Sequence, residues 1–452
     1  MNSSSRPEIH IIGGGLAGVE AAYQCLRRGL KVTLYEMRPA RKTPAHQTGD
    51  LAELVCSNSF KSDSLESAPG QLKWEMASLG SLVVEAANSS RVPAGQALAV
   101  DRVKFSAAVK ERLHSFTGFT LEEKEVTQLP PEEEMARKNQ LWLMATGPLT
   151  AEPLARALSE MSGLEKSLYF YDAIAPIIDA QSINMDEGYW ANRWDKGEGQ
   201  DYFNIPLDKE QYEDFVQGVI DAEKMPLHDF EKVQYFESCL PIEVMAGRGK
   251  DTLRFGPMKP VGLIDKRTNK RPWAVIQLRR ENDSASMLSM VGFQTKMKWP
   301  EQKRLFSKLP CLKEVEIYRY GSVHRNTYVE APRILSENFS LKKNNRLFLA
   351  GQITGVEGYT ESAGIGLLAG ICMVDKALGR KNQLPPKTTL LGALGHYVLF
   401  GSHGKYQPMN AHFGLLPTIE RKKGVSKSDV KIKKTQLAKE AFKAWDTQLE
   451  AT

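Results

Sequence analysis

The hydrophobic pattern begins with a short run, Glu8-Ile9-His10-Ile11-Ile12, that breaks at once into Gly13-Gly14-Gly15-Leu16-Ala17-Gly18. A brief apolar run ended by turn residues reads as a buried strand. From Val19 to Arg28 the pattern becomes helical, and Gly29 closes it as a C-terminal glycine does. Lys31-Val32-Thr33-Leu34-Tyr35 reads as a second strand, with Glu36 at its end. Two later runs share this texture. Leu141-Trp142-Leu143-Met144 ends in Ala145-Thr146-Gly147, and Arg346-Leu347-Phe348-Leu349-Ala350 ends in Gly351-Gln352, ahead of a glycine-rich segment from Ile353 to Gly370. Between these runs the pattern mixes strands (Trp273 to Leu278, Met287 to Val291) with helices (Lys209 to Lys224, Pro300 to Leu309).

Strand, G-x-G-x-x-G, helix, strand and acid, in that order, form a dinucleotide-binding fingerprint. Gly13 permits the tight turn, Gly15 lets backbone approach a pyrophosphate, and Gly18 allows helix and strand to pack closely; Gly14 belongs to the same loop. The helix N-terminus offers unpaired N–H groups to phosphate. Glu36, eighteen residues after Gly18, is placed to accept hydrogen bonds from ribose hydroxyls. The Ala-Thr-Gly and Ala-Gly-Gln strand ends look like the returning strands of two-dinucleotide-fold flavoproteins, where the last strand and its helix close over the cofactor. That likeness implies FAD as the cofactor and puts Gly147, Gly351, Gln352 and Gly364 beside it. No second strand-anchored G-x-G-x-x-G occurs, so NAD(P)H is expected to visit as a reductant rather than reside. The expected fold class is α/β: a Rossmann-like FAD-binding domain of the two-dinucleotide-fold type with an inserted α+β domain. Its parts are residues 1–184, the insert at 185–330, and 331–452 with a basic C-terminal segment.

Composition narrows the picture. The 452 residues, 42% apolar and 25% charged, suit a globular chain of two or three units. No apolar stretch approaches the ~20 residues of a membrane span, and the polar residues before Glu8 lack a signal-peptide core. A cytoplasmic protein without a membrane partner is expected. The five cysteines, Cys25, Cys56, Cys239, Cys311 and Cys372, contain no C-x-x-C pair. That excludes the usual zinc and dithiol patterns, and no metal is expected. The net charge of +6 is concentrated in Arg421, Lys422, Lys423, Lys427, Lys431, Lys433 and Lys434, and in Lys266, Arg267, Lys270 and Arg271. Such runs form either a solvated face or a phosphate-contacting surface, and charge alone leaves both open. The acidic runs Glu122-Glu123 and Glu132-Glu133-Glu134 read as solvated surface.

Several motifs resemble one family closely. They are Tyr35-Glu36-Met37-Arg38-Pro39, Thr43-Pro44-Ala45-His46 and Glu53-Leu54-Val55-Cys56-Ser57-Asn58-Ser59; then Cys239-Leu240-Pro241-Ile242-Glu243-Val244-Met245 and the segment from Asp251 to Leu263; then Val291-Gly292-Phe293-Gln294-Thr295, His324-Arg325-Asn326-Thr327, Gly355 to Ser362, and Gln407-Pro408-Met409-Asn410. Together they span nearly the whole chain and resemble the folate/FAD-dependent tRNA (uracil-5-)-methyltransferases, the TrmFO family. The resemblance implies transfer of a one-carbon unit from 5,10-methylenetetrahydrofolate to C5 of a T-loop uridine in tRNA, with reduced FAD supplying electrons. Uracil C5 is a poor nucleophile until a group such as a thiolate adds to C6, and a base must then remove the C5 proton.

Cys56 and Cys239 lie within matching motifs and are the expected catalytic thiols. Cys56 is assigned as nucleophile, because Lys61 and nearby N–H groups would favour its thiolate. Cys239, close in sequence to Glu237 and Glu243, is assigned as base or proton relay, with an exchange of the two roles as the alternative. Cys25 and Cys372 read as small core residues, and Cys311 has no distinguishing context. Tyr359 matches the aromatic position expected to stack a folate ring against the flavin, and His324 and Arg325 are expected substrate or folate contacts. Competing readings are the longer wobble-uridine modification protein MnmG (GidA), a ribosomal-RNA uridine methyltransferase, a small-molecule flavin oxidoreductase, and a non-enzymatic RNA-binding flavoprotein.

Overall fold

The computed structural model describes residues 6–163, 168–195, 200–225, 240–401, 406–419 and 426–450. At its centre is a five-stranded, all-parallel sheet in the order Leu347–Leu349, Gln140–Met144, Glu8–Ile12, Val32–Tyr35, Phe119–Glu122. Ile11 sits in register with both Leu34 and Leu143. All three side chains are fully buried. A sheet covered on both faces needs near-continuous apolar strands, which is the texture seen in the sequence.

The helix Leu16–Leu26 follows the first strand and is buried along its whole length. It starts three residues ahead of the expected Val19, because Gly15 already serves as its N-cap and Gly18 lies inside the first turn. Its partner is the long helix Tyr359–Ala377. A Cβ on Gly366 would stand 2.3 Å from the Ala17 carbonyl oxygen, and one on Gly370 would stand 2.9 Å from Ala21 Cα. The glycine-rich sequence therefore lets two helix backbones touch, which larger residues would forbid.

Buried carboxylates tie other helices down. Glu20 accepts hydrogen bonds from the Ser81 hydroxyl and from the Leu82 and Val83 N–H groups, and so caps the helix Leu82–Ser89. Glu75 accepts from Leu390 and Leu391 N–H at the start of the helix Leu390–Phe400. Each places carboxyl oxygens as acceptors where a helix presents unpaired donors. The helix Lys427–Glu450 leans on the helix Ala68–Ser78, with Phe442 edge-on to Trp74 at 5.7 Å between ring centroids.

A second, antiparallel sheet has six strands in the order Tyr189–Trp190, Tyr202–Leu207, Ala274–Arg280, Met287–Met290, Ile177–Asp179, Ile317–Arg319. It has its own core, with Phe203, Ile205, Phe215, Phe293, Leu305 and Phe306 buried together. The helix Lys209–Asp221 covers it and is opened by a reciprocal capping box between Asp208 and Gln211. The strand Ile177–Asp179, which precedes residue 185, belongs to this sheet. An antiparallel ribbon of Leu168–Ile174 and Ser322–Tyr328 runs alongside, and a small sheet joins Ser59–Ser62, Ala97–Val100 and Arg91–Val92. Among the described residues, no helix is long and apolar enough to cross a membrane.

Candidate active site

The first cavity lies at the C-terminal ends of the parallel strands. Gly13, Gly15, Leu16 and Ala17 form its floor, with Glu36 and Arg38 on one side and Ala145 to Ala151, Gly351 and Gln352 on the other. Strand ends of an open parallel sheet are where such folds bind ligands. Gly13 has φ +106°, and a Cβ on Gly18 would stand 1.9 Å from the Gly13 carbonyl oxygen. The turn can close over the helix only because position 18 is bare. Gly15 differs. A Cβ there would meet nothing within 4 Å, since the position opens on the cavity at the N-terminus of a helix. Backbone N–H groups at a helix start facing an open space suit a pyrophosphate.

Glu36 lines this cavity, and its carboxylate is also part of the wall. It accepts from Gly14 N–H at 2.8 Å, from Arg38 N–H at 3.0 Å and from Arg38 Nε at 2.9 Å. Burial pushes its carboxyl up, but the hydrogen bonds and charge of Arg38 outweigh this and hold it below the usual range. Arg38 in turn pairs with Glu53 at 3.0 Å. His46 lies in the same wall, and burial, followed by the charge of Arg38, lowers its pKa to about 4, so the ring is neutral.

Beyond Tyr359, Gln352, Val55, Pro148 and Leu149, which line both spaces, the cavity opens into a cleft between the two large sheets. The segment 54–61, a loop that runs into the strand Ser59–Ser62, brings Cys56, Ser57, Ser59 and Lys61 to it, and the second sheet brings Arg279, Glu281 and Met290. Cys56 Sγ lies 3.1 Å from the Tyr359 hydroxyl oxygen. That oxygen accepts the N–H groups of Cys56 at 2.8 Å and Ser57 at 3.1 Å. Burial raises the Tyr359 phenol well above its ordinary value, so it stays protonated. Arg279 Nη2 donates to Ser57 Oγ at 2.9 Å. Arg102 donates through Nε to Glu281 at 2.7 Å and through Nη1 to the Leu54 carbonyl, pinning the cysteine loop to the second sheet.

The residues expected from sequence divide into groups. Gly13, Gly15, Glu36, Gly147, Gly351 and Gln352 meet around the first cavity, and Cys56 and Tyr359 meet at its junction with the cleft. Gly14 and Gly18 shape the turn from behind the lining. Gly364 lies away from the cavity: a Cβ there would sit 3.1 Å from Leu391 Cδ1 and 3.6 Å from Met76 Sδ, so the position serves helix packing. The Lys61 ammonium is engaged by Glu361 at 2.8 Å. The guanidinium groups whose charge acts on Cys56 are Arg102 and Arg319, which the sequence reading did not single out. Their signals were weak: Arg102 follows an N-capping Asp101, and Arg279 and Glu281 stand at the charged end of an apolar strand.

His324 and Arg325 lie on the ribbon strand in register with Asp172 and Tyr171. Their neighbour Asn326 is buried and lines the cleft. Cys239 falls outside the described residues, as do Lys422 and Lys423. Cys25, Cys311 and Cys372 are buried thiols. Burial pushes Cys25 and Cys311 up to about 12. Lys434 Nζ is spent on the Phe413 and Leu416 carbonyls, and Arg267 pairs with Asp265. Among the described residues, no group of three or more His, Cys, Asp or Glu could hold a metal ion.

The chain is 48% identical over 445 residues to the methylenetetrahydrofolate--tRNA-(uracil-5-)-methyltransferase TrmFO of Sulfurihydrogenibium sp. (strain YO3AOP1), covering 98% of this chain and 99% of that one. To the protein of the same name from Geobacter sulfurreducens it is 51% identical over 421 residues, 93% of this chain and 94% of the other. The chain belongs to the TrmFO family. The wider family described as glucose inhibited division protein A matches residues 8–381. Aquifex aeolicus GidA, in its form II crystal, superposes with a TM-score of 0.67 at 16% identity, over 100% of this chain and 77% of that one. TrmFO and GidA chains thus share the FAD-binding, Rossmann-type flavoprotein fold found here.

Proposed function

We propose that this chain is a tRNA (uracil-5-)-methyltransferase that takes its one-carbon unit from 5,10-methylenetetrahydrofolate and its electrons from NAD(P)H through FAD. The observation that carries the reading is the Cys56–Tyr359 pair, 3.1 Å apart, where a dinucleotide cavity meets a charged cleft. The first cavity suits FAD: Gly15 and the helix start face the pyrophosphate, Glu36 keeps acceptor positions for a ribose, and Gly147, Gly351 and Gln352 close the far side. FAD held there, once reduced by the nicotinamide donor, would supply the two electrons that convert a transferred methylene into a methyl group. Folate and the uracil ring then share the adjoining cleft, reached past Tyr359 and with His324 and Arg325 on the ribbon strand nearby. The nicotinamide donor visits.

The residues of the chain prepare the thiol. Two backbone N–H groups occupy the Tyr359 oxygen, which leaves its O–H proton for Cys56 Sγ once that thiol ionises. Arg102 and Arg319 add positive charge on the same atom. Both effects favour a thiolate able to add to C6. Cys239 is the group assigned to remove the C5 proton, and the exchange of roles is decided by trapping. RNA carrying 5-fluorouridine at the target holds the C6 adduct, because fluorine cannot leave as the proton does. Wild type should give a complex stable to denaturing electrophoresis, Cys56→Ala should give none, and Cys239→Ala should give the adduct without turnover. The opposite pattern swaps the roles. Transfer of label from methylene-folate into unmodified tRNA tests the reaction itself. Flavin turnover with no label in RNA would return the chain to small-molecule oxidoreductases.

A further inference from the structure

Lys61 sits on the cleft wall in a conformation that a lysine seldom adopts. Its φ is +63°, in the left-handed region, where a Cβ is unfavourable. It lies in a bulge: Ser59 pairs with Ala99 and Ser62 with Ala97, so one residue of the strand is extra. Bulges re-aim side chains, and strained residues held by their surroundings cluster at functional sites. Here the surroundings hold firmly. The buried Lys73 Nζ donates to the carbonyls on either side, Phe60 at 2.9 Å and Ser62 at 2.7 Å, and the Lys61 N–H goes to Ser59 Oγ at 3.1 Å.

The side chain is equally determined. Its Nζ meets Glu361 Oε1 at 2.8 Å, and Glu361 also accepts the Ala411 N–H at 3.0 Å. The carboxylate is 1% exposed and the lysine side chain 36% exposed, so the pair turns its positive end to the cleft and keeps its negative end behind. Glu361 stands two residues beyond Tyr359 in the same first turn of the helix. One helical turn thus orients both the partner of the Cys56 thiol and the cation.

We propose that the Lys61 ammonium holds the negative charge that appears on the uracil O4 oxygen when the catalytic thiolate adds to C6. This rests on the methyltransferase reading above. In that step the S–C6 bond forms, the C5=C6 pair moves to C5 and is delocalised onto O4, and no atom leaves. The charge is greatest at O4 in the intermediate and absent in the free base, so a fixed ammonium there stabilises the addition selectively. A lysine is retained in a backbone conformation better suited to glycine because its charge is required in the cleft.

The competing role is that of a counterion for buried Glu361, and a double variant separates the two. In Lys61→Met/Glu361→Gln no buried charge is left unpaired. Its flavin content, melting temperature and RNA affinity should match wild type, while the adduct with 5-fluorouridine RNA forms ~10²–10³-fold more slowly, the scale for losing one donor to a developing oxyanion. In Lys61→Gly, which relieves the backbone, added ethylamine should restore part of that rate, and Lys61→Arg should retain part of it. Wild-type adduct formation in the double variant, or no rescue by the amine, would make Lys61 a structural counterion only. If wild type forms no adduct and transfers no label, the methyltransferase reading itself falls, and this proposal with it.

Discussion

The dinucleotide cavity and the cleft beside it share five lining residues but are built by different means. The cavity is made of regular elements: parallel strand ends, a helix start and bare glycine positions, so that backbone does most of the recognition. The cleft is made of a loop, a bulge and long charged side chains brought from both sheets, with Arg102–Glu281 and Lys61–Glu361 as its fixed points. A cofactor that stays needs a surface that does not move. A cleft that must hold charge needs side chains, and these must be locked by partners to be useful.

The contrast is sharpest at two glycines three residues apart. Gly18→Val forces a side chain into the Gly13 carbonyl, so the turn cannot close and the chain should fail to fold, as circular dichroism would report. Gly15→Val finds open space and should fold with a near-wild-type melting temperature, yet lose its flavin absorbance. Full flavin occupancy in a folded Gly15→Val would remove the cofactor from this cavity.

In the cleft the largest loss should come from Arg102→Met, which strands the buried Glu281 carboxylate. Breaking such a pair costs ~3–5 kcal/mol, measurable by urea denaturation. Tyr359→Phe leaves the Cys56 and Ser57 N–H groups without their acceptor, at ~1–3 kcal/mol. It should also change the rate at which iodoacetamide alkylates Cys56. If that rate stays at the wild-type value, the tyrosine does not govern the thiol.

The smallest effect lies in the framework common to both regions. Burial lifts the Glu75 carboxyl from 4.5 to about 7, so the native chain keeps a proton that the unfolded chain has released. Its contribution to stability is fully present below 4.5 and is lost as pH rises through 7. The stability of wild type relative to Glu75→Gln should therefore fall between pH 5 and pH 7.5. A constant difference across that window would show that the carboxyl titrates normally.

The same contrast explains what the sequence could disclose. The first strand, the glycine turn and Glu36 are contiguous, and each residue carries its own conformational reason, so the cavity was legible from residues 8–36 almost alone. Gly364 shows the limit. A glycine in a cofactor-proximal helix and a glycine that admits Leu391 look identical in sequence, because the neighbour that decides the matter lies 27 positions away. The cleft was harder still. The motif pointed to Cys56 and Tyr359, but Lys61 was read by proximity in sequence as the cation for Cys56. The fold pairs its ammonium with Glu361, 300 residues on, and brings the charges of Arg102 and Arg319 to Cys56 as well. Ion pairs between distant segments leave no periodic trace.

The hydrogen bond between Cys56 and Tyr359 joins residues 303 positions apart, and this bears on synthesis. A ribosome that has made the first three hundred residues has delivered the thiol, the glycine turn and both arginines that flank the cleft, Arg102 and Arg279, but no hydroxyl to hold the sulfur and no Gly351 to close the cavity. The nascent protein can therefore neither close the dinucleotide cavity nor form the Cys56–Tyr359 hydrogen bond until residues 351–359 have emerged. Chain order thus places the joining of cavity and cleft after the last of the sheet strands has been made.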